Sequence, residues 1–224
     1  MDNRVGVIFD MDGVLVDSYQ AHFESWRMIA AEEGLTITEK QFAATFGRTS
    51  REIIAAWWGE ELTEAEIRKL DDRKEAAYRQ ILANDFPAMP GVRALIERLH
   101  NAGMALAIGS SGPPENIEVI LDHLQAQSLF QAVVSGADVT RGKPDPQVFL
   151  KAAQRLGIPP DRCVVVEDAP LGVDAAHGAG AAAIGFASTG RTREGLAKAE
   201  LVVDSLEEIT PEVVRRLVGA KEVK

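Results

Sequence analysis

Four short segments carry residue types able to do chemistry together. The first is Asp10-Met11-Asp12-Gly13-Val14-Leu15-Val16-Asp17-Ser18, where two carboxylates stand one residue apart. Both could reach one cation if the chain leaves extended geometry after Asp10, a bend that Gly13 permits. An acidic turn closing a strand fits that spacing equally well. A calcium loop of the helix-loop-helix type does not: Val14, Leu15 and Val16 are apolar where oxygen ligands belong, and Ala21 stands where a bidentate Glu is needed. The second segment, Ser110-Ser111-Gly112, offers hydroxyls and backbone N–H groups just ahead of Pro113-Pro114. Such a helix start holds a phosphate oxygen or is simply capped by its serine. The third, Gly142-Lys143-Pro144-Asp145-Pro146, presents a lysine before a helix, with Asp145 expected as N-cap and Pro146 as the first helical residue. A solvated surface lysine is the alternative. The fourth, Glu167-Asp168, sets adjacent acids behind an apolar run, where they need partners or solvent. There Asp168 also reads as an N-cap.

The elements that position these segments are strands. Val5–Phe9 is a short apolar run ending at Asp10, and similar runs recur at Met104–Ile108, Ala132–Val134, Cys163–Val166 and Ala181–Phe186. Between them lie amphipathic helix patterns, for example Val92, Leu95, Ile96 and Leu99, or Val148, Phe149, Ala152 and Leu156. Alternating strands and helices predict an α/β fold built on a doubly wound parallel sheet, with ligands beyond the carboxyl ends of the strands. All the acids, serines and the lysine singled out above then fall on one edge of that sheet. One interval breaks the alternation. From about Tyr19 to Pro87 only helical pattern is found, including a capping box at Thr63 and Glu66. This predicts a core of residues 1–17 and 88–224 interrupted by a small α-helical cap domain over 18–87.

Composition narrows the class of function. Lys and Arg number 24 against 34 Asp and Glu, a formal net charge of −10, which argues against nucleic acid as a partner. At 46% hydrophobic and 26% charged the chain is ordinary globular material. No stretch approaches the roughly 18 consecutive apolar residues of a membrane span, and the N-terminus lacks a basic region followed by an apolar core, so a cytoplasmic protein with no membrane partner is expected. The single cysteine, Cys163, lies inside a strand and is expected to be inert. The four histidines show no metal-ligand spacing.

Taken in order, the four segments resemble the motifs of the haloacid dehalogenase (HAD) superfamily, within it the branch of β-phosphoglucomutase, phosphoglycolate phosphatase and sugar-phosphate phosphatases. The resemblance covers nearly the whole chain and includes the helical cap after the first motif and a Rossmann-like core. It implies a phosphatase acting through an aspartyl-phosphate on a small phosphorylated metabolite, with a β-phosphoglucomutase-type phosphohexomutase as the alternative. By the same resemblance Asp10 is the nucleophile and Asp12 the general acid and base, a position where the dehalogenating members carry no acid. Mg²⁺ would be held by Asp10, the Asp12 carbonyl, Glu167 and Asp168. Ser110 and Ser111 would bind phosphoryl oxygens, and Lys143 would bridge Asp10 and the phosphoryl group. In the cap, His22, Arg51 and Lys74 correspond to substrate-binding positions of the mutases. A monomer or small homo-oligomer is expected.

Overall fold

The computed structural model describes residues 4–45 and 49–219. Five strands form where the apolar runs predict them: β1 (Gly6–Phe9), β2 (Ala105–Gly109), β3 (Ala132–Val134), β4 (Cys163–Glu167) and β5 (Ala182–Phe186). A sixth, β6 (Leu201–Val203), is not among the runs read from the sequence; it is three residues long, as β3 is, and pairs with β5. Every pairing is parallel, in the order β3-β2-β1-β4-β5-β6. Parallel strands covered on both faces read as unbroken apolar runs, which is why β1, β2, β4 and β5 are buried along their whole length.

The helices that cover this sheet are α5 (Val92–Asn101), α6 (Pro114–Leu124), α7 (Gln147–Leu156), α8 (Pro170–Ala179) and α9 (Pro211–Gly219); α1 to α4 belong to the other unit described below. Val148, Phe149, Ala152 and Leu156 on α7 pack with Ile8, Ala107 and Val165, and burying the Val, Phe and Leu side chains stabilises by about 1.5–3 kcal/mol each. The chain winds outward from β1 through β2 to β3, then crosses back to place β4 on the other side of β1. That reversal makes the carboxyl end of β1 the topological switch point of the sheet, the position where a crevice opens.

The chain divides into two compact units, Met1–Asp17 with Pro87–Lys224, and Ser18–Phe86. The second crossing falls one residue before the 87/88 boundary read from the sequence, because the Asp17 N–H already donates to the Pro87 carbonyl at 2.9 Å within the sheet unit. The smaller unit comprises α1 (Tyr19–Glu32), α2 (Glu39–Thr45), α3 (Ser50–Trp58) and α4 (Glu64–Asn84), with no strand among its described residues. Its core gathers Trp26, Ile29, Phe42, Ile54 and Leu70, and Trp57 and Trp58 pack partly buried against it. Thr63 and Glu66 close a capping box at the start of α4, and Thr49 and Glu52 close another at α3. No described helix is long and apolar enough to cross a membrane.

Candidate active site

Asp10 continues the β1 ladder by one bond, its N–H donating to the Val166 carbonyl at 2.9 Å. The chain then bends: the Leu15 N–H returns to the Met11 carbonyl at 2.8 Å and Gly13 adopts φ +75°. A side chain at Gly13 would be strained in that conformation and would collide with the Asp168 carboxylate. The bend permitted in the sequence therefore forms, and it lets the first acidic loop close onto the end of β4. Register does the rest. Phe9 pairs with Val166, so Asp10 stands level with Glu167 on the adjacent strand.

The result is a buried group of three carboxylates. One oxygen from each of Asp10, Glu167 and Asp168 lies within 4.8 Å of the others, and all three residues are buried. Lys143 Nζ donates to Asp10 Oδ1 at 2.7 Å and to Glu167 Oε1 at 2.6 Å, and it lies 4.9 Å from the centre of the Phe149 ring. Lys143 is thus no solvated surface lysine. Burial alone would lower its pKa, but the charges of Asp10 and Glu167 outweigh that and hold the ammonium above its ordinary range. Asp10 is pushed the other way from a normal carboxylate. Burial raises its pKa well above the usual value, Lys143 opposes this, and Glu167, Asp168 and Asp12 add to the rise. Asp168 is pushed up to about 7, by burial first and by Glu167 second, against the pull of Arg191.

Ser110 is buried at the end of β2, its N–H bonded to the Val134 carbonyl at 3.0 Å. Its Oγ accepts the Gly112 N–H at 3.0 Å, which leaves its own O–H as a donor. Ser111 follows it, exposed. Glu167 Oε2 accepts the Ala169 N–H at 2.7 Å and rests against Gly172 of α8, where any Cβ would overlap the carboxylate. The N-cap of α8 is Ala169, so Asp168 does not act as a cap. Asp145 also sits one residue further from its helix than the sequence suggests. Pro146 is the cap residue and α7 begins at Gln147, whose N–H donates to Asp145 Oδ1 at 3.0 Å.

Arg191 escaped the sequence reading. Its Nε donates to Asp168 Oδ2 at 2.9 Å. The loop after β5 delivers it, at the same carboxyl edge of the sheet as the other segments. A search of every residue following a strand end, rather than of acids and lysines alone, would have found it.

In the helical unit, two of the three expected residues meet. Lys74, on α4 and 3% exposed, donates to Glu75 Oε1 at 2.6 Å and lies 3.0 Å from His22 Nδ1. His22 stacks on Tyr78 with ring centres 4.3 Å apart, and Lys74 lies over the Trp26 and Tyr78 rings at 5.5 and 5.3 Å. Arg51 is elsewhere on that unit's surface, exposed and paired with Glu64. Cys163 is buried, and burial, followed by Asp161, pushes its thiol up to about 12, as the inert reading requires.

The chain is thus a parallel α/β sheet with a charge-paired carboxylate cluster at its switch point, interrupted after β1 by a helical unit. Comparison with known proteins makes this specific. Residues 7–186 match the family model of the haloacid dehalogenase-like hydrolases, and the chain belongs to that family. It is 33% identical over 215 residues to a β-phosphoglucomutase of Bacillus subtilis, covering 93% of this chain and 92% of that one. To hexitol phosphatase A of Escherichia coli it is 36% identical over 210 residues, covering 92% and 93%. Among solved structures, a β-phosphoglucomutase from Clostridium difficile superposes with a TM-score of 0.85 at 26% identity, covering 99% of this chain and all of that one. Phosphatases and phosphomutases are the activities of these relatives.

Proposed function

We propose that the protein is a Mg²⁺-dependent phosphatase of a small phosphorylated sugar or sugar-like metabolite, working through an aspartyl-phosphate on Asp10. The observation that carries this reading is the Asp10–Lys143–Glu167 contact at the switch point. It leaves a carboxylate buried, ionisable and adjacent to a fixed ammonium, as an in-line attack on phosphorus needs.

The donor set suits a hard divalent ion. Three carboxylates within 4.8 Å offer only oxygen, and their mutual repulsion in a buried site is relieved by added positive charge. Asp10, the Asp12 carbonyl, Glu167 and Asp168 would hold it; when bound, Mg²⁺ supplies charge neutralisation between the nucleophile and the phosphoryl group. The rest is work for the chain's own residues. Asp10 forms the bond to phosphorus as the bond to the leaving alcohol breaks. Asp12 gives that alcohol its proton, then takes one from the water that hydrolyses the aspartyl-phosphate, returning Asp10 and releasing phosphate. The Ser110 hydroxyl and the Ser111 N–H donate to phosphoryl oxygens, and Lys143 offsets the charge that builds on them. His22, Lys74 and Arg51 are proposed as the contacts that select the rest of the substrate.

A second reading is favoured by the 33% identity to a β-phosphoglucomutase: a phosphohexomutase that returns the phosphoryl group to a sugar hydroxyl. Assays of hexose and hexitol monophosphates for both inorganic phosphate and isomerised product, with and without a sugar bisphosphate, separate the two. Phosphate release is expected to dominate. Isomerisation that outpaces release by tenfold or more would assign the mutase instead.

A further inference from the structure

The three clustered carboxylates are not balanced by the same cation. Lys143 spans Asp10 and Glu167, and the structure gives Asp168 to Arg191 instead. The two cations are mounted differently. Lys143 is 12% exposed and packed over Phe149, whereas Arg191 ends a turn on the loop behind β5. That turn is closed by the Arg191 N–H on the Ser188 carbonyl at 2.9 Å, with Gly190 at φ +77°. Thr189 Oγ1 anchors it separately, donating to Asp17 Oδ2 at 2.7 Å. The guanidinium that meets Asp168 is thus carried by a loop turn and not by a strand. The Asp168 carboxylate also lies against Gly13, close enough that a Cβ there would overlap it.

We propose that Arg191 is the exchangeable counter-ion of Asp168, and that it sets the Mg²⁺ affinity of the site by competing with the metal for that carboxylate. The inference rests on the metal site proposed above. A unit positive charge 2.9 Å from a ligand oxygen, in a pair only 18% and 6% exposed, opposes the arrival of a second cation far more than it would in bulk water. Arg191 is a positioning residue in this scheme, acting through Asp168 rather than on the substrate.

Calorimetric titration of Mg²⁺ into substrate-free protein tests this independently of turnover. Arg191→Gln is expected to tighten Mg²⁺ binding by about tenfold, since the competing charge is gone. Arg191→Lys, which keeps a charge on the same loop, should stay within about threefold of the parent. Thr189→Ala, which leaves the guanidinium in place, should not change the affinity. In EDTA, Arg191→Gln should melt below the parent and regain the difference on Mg²⁺ addition. An unchanged or weakened Mg²⁺ affinity in Arg191→Gln would overturn the proposal, as would Arg191→Lys behaving like Arg191→Gln. If the parent itself binds no Mg²⁺, the metal reading fails and this inference with it; Mg²⁺ binding indifferent to Arg191 overturns the counter-ion alone.

Discussion

Lys143 and Lys74 are both withdrawn from solvent, at 12% and 3% side-chain exposure, yet they are held by opposite means. Lys143 lies between two carboxylates that are 133 and 24 residues away in sequence and arrive on two neighbouring strands. Lys74 is held by its sequence neighbour Glu75, by a histidine nitrogen and by the faces of Trp26 and Tyr78. One cation is balanced by the proposed nucleophile and a proposed metal ligand, the other by a local acid, two aromatic faces and a histidine proposed to meet the substrate. Where the partners of a buried charge are themselves reactive, stability and turnover are tied together. Where they are aromatic faces and one local acid, the two can be separated.

The contrast is tested most severely at its reactive end. Asp10→Asn should lower phosphate release by about a thousandfold or more, with the melting temperature held or raised because one of three crowded carboxylates becomes neutral. Substantial remaining turnover would remove Asp10 as nucleophile. Lys143→Met should cost turnover by about a hundredfold or more. It should also destabilise the protein by about 3–5 kcal/mol in denaturant titrations, since Asp10 and Glu167 would be left buried without their ammonium.

Removing metal sharpens the same point through pH. With EDTA present, Asp168 at about 7 and the raised Asp10 both favour their protonated forms in the folded chain. Their contribution is fully present below the ordinary carboxylate pKa near 3.8 and is lost as pH rises through their folded values. The urea midpoint of the EDTA-treated protein should therefore fall between about pH 4 and pH 7, and Mg²⁺ should flatten that decline. A midpoint that rises over this range would contradict the crowding of the carboxylates.

The smallest effects belong to the helical unit. Lys74→Met should raise KM by about tenfold while kcat changes less, and should cost less stability than Lys143→Met. Equal losses of kcat in the two variants would erase the distinction between the lysines. Arg51→Ala breaks only an exposed ion pair with Glu64 and should leave the melting temperature where it is, so any rise in KM reports substrate contact alone.

Much of this was legible beforehand, for identifiable reasons. Strands buried on both faces leave unbroken apolar runs, so β1, β2, β4 and β5 declared themselves and the acids at the ends of β1 and β4 stood out. The capping box at Thr63 and Glu66 is a local pattern and formed as read; the equivalent Thr49-x-x-Glu52 has the same spacing and was equally readable. Local patterns failed where a residue has two possible partners. Asp168 looks like an N-cap because Asp before a helix usually is one, but Arg191 takes its carboxylate and Glu167 accepts the Ala169 N–H instead. Three-residue β6 was as readable as β3, since Leu201-Val202-Val203 is an apolar run of the same length as Ala132-Val133-Val134.

By itself the sequence determined which residues end strands and which interval is helical, because burial, periodicity and capping are properties of neighbours along the chain. It also determined that acids, serines and a lysine share one edge of a parallel sheet. Only the tertiary structure decided that β4 lies against β1, that Phe9 pairs with Val166 and brings Asp10 level with Glu167, and that Lys143 enters between them. Strand order and register are set by how helices cover both faces of the whole sheet, over separations no local pattern spans. The same packing delivered Arg191 to Asp168, a contact between two loops that the sequence leaves 23 residues apart.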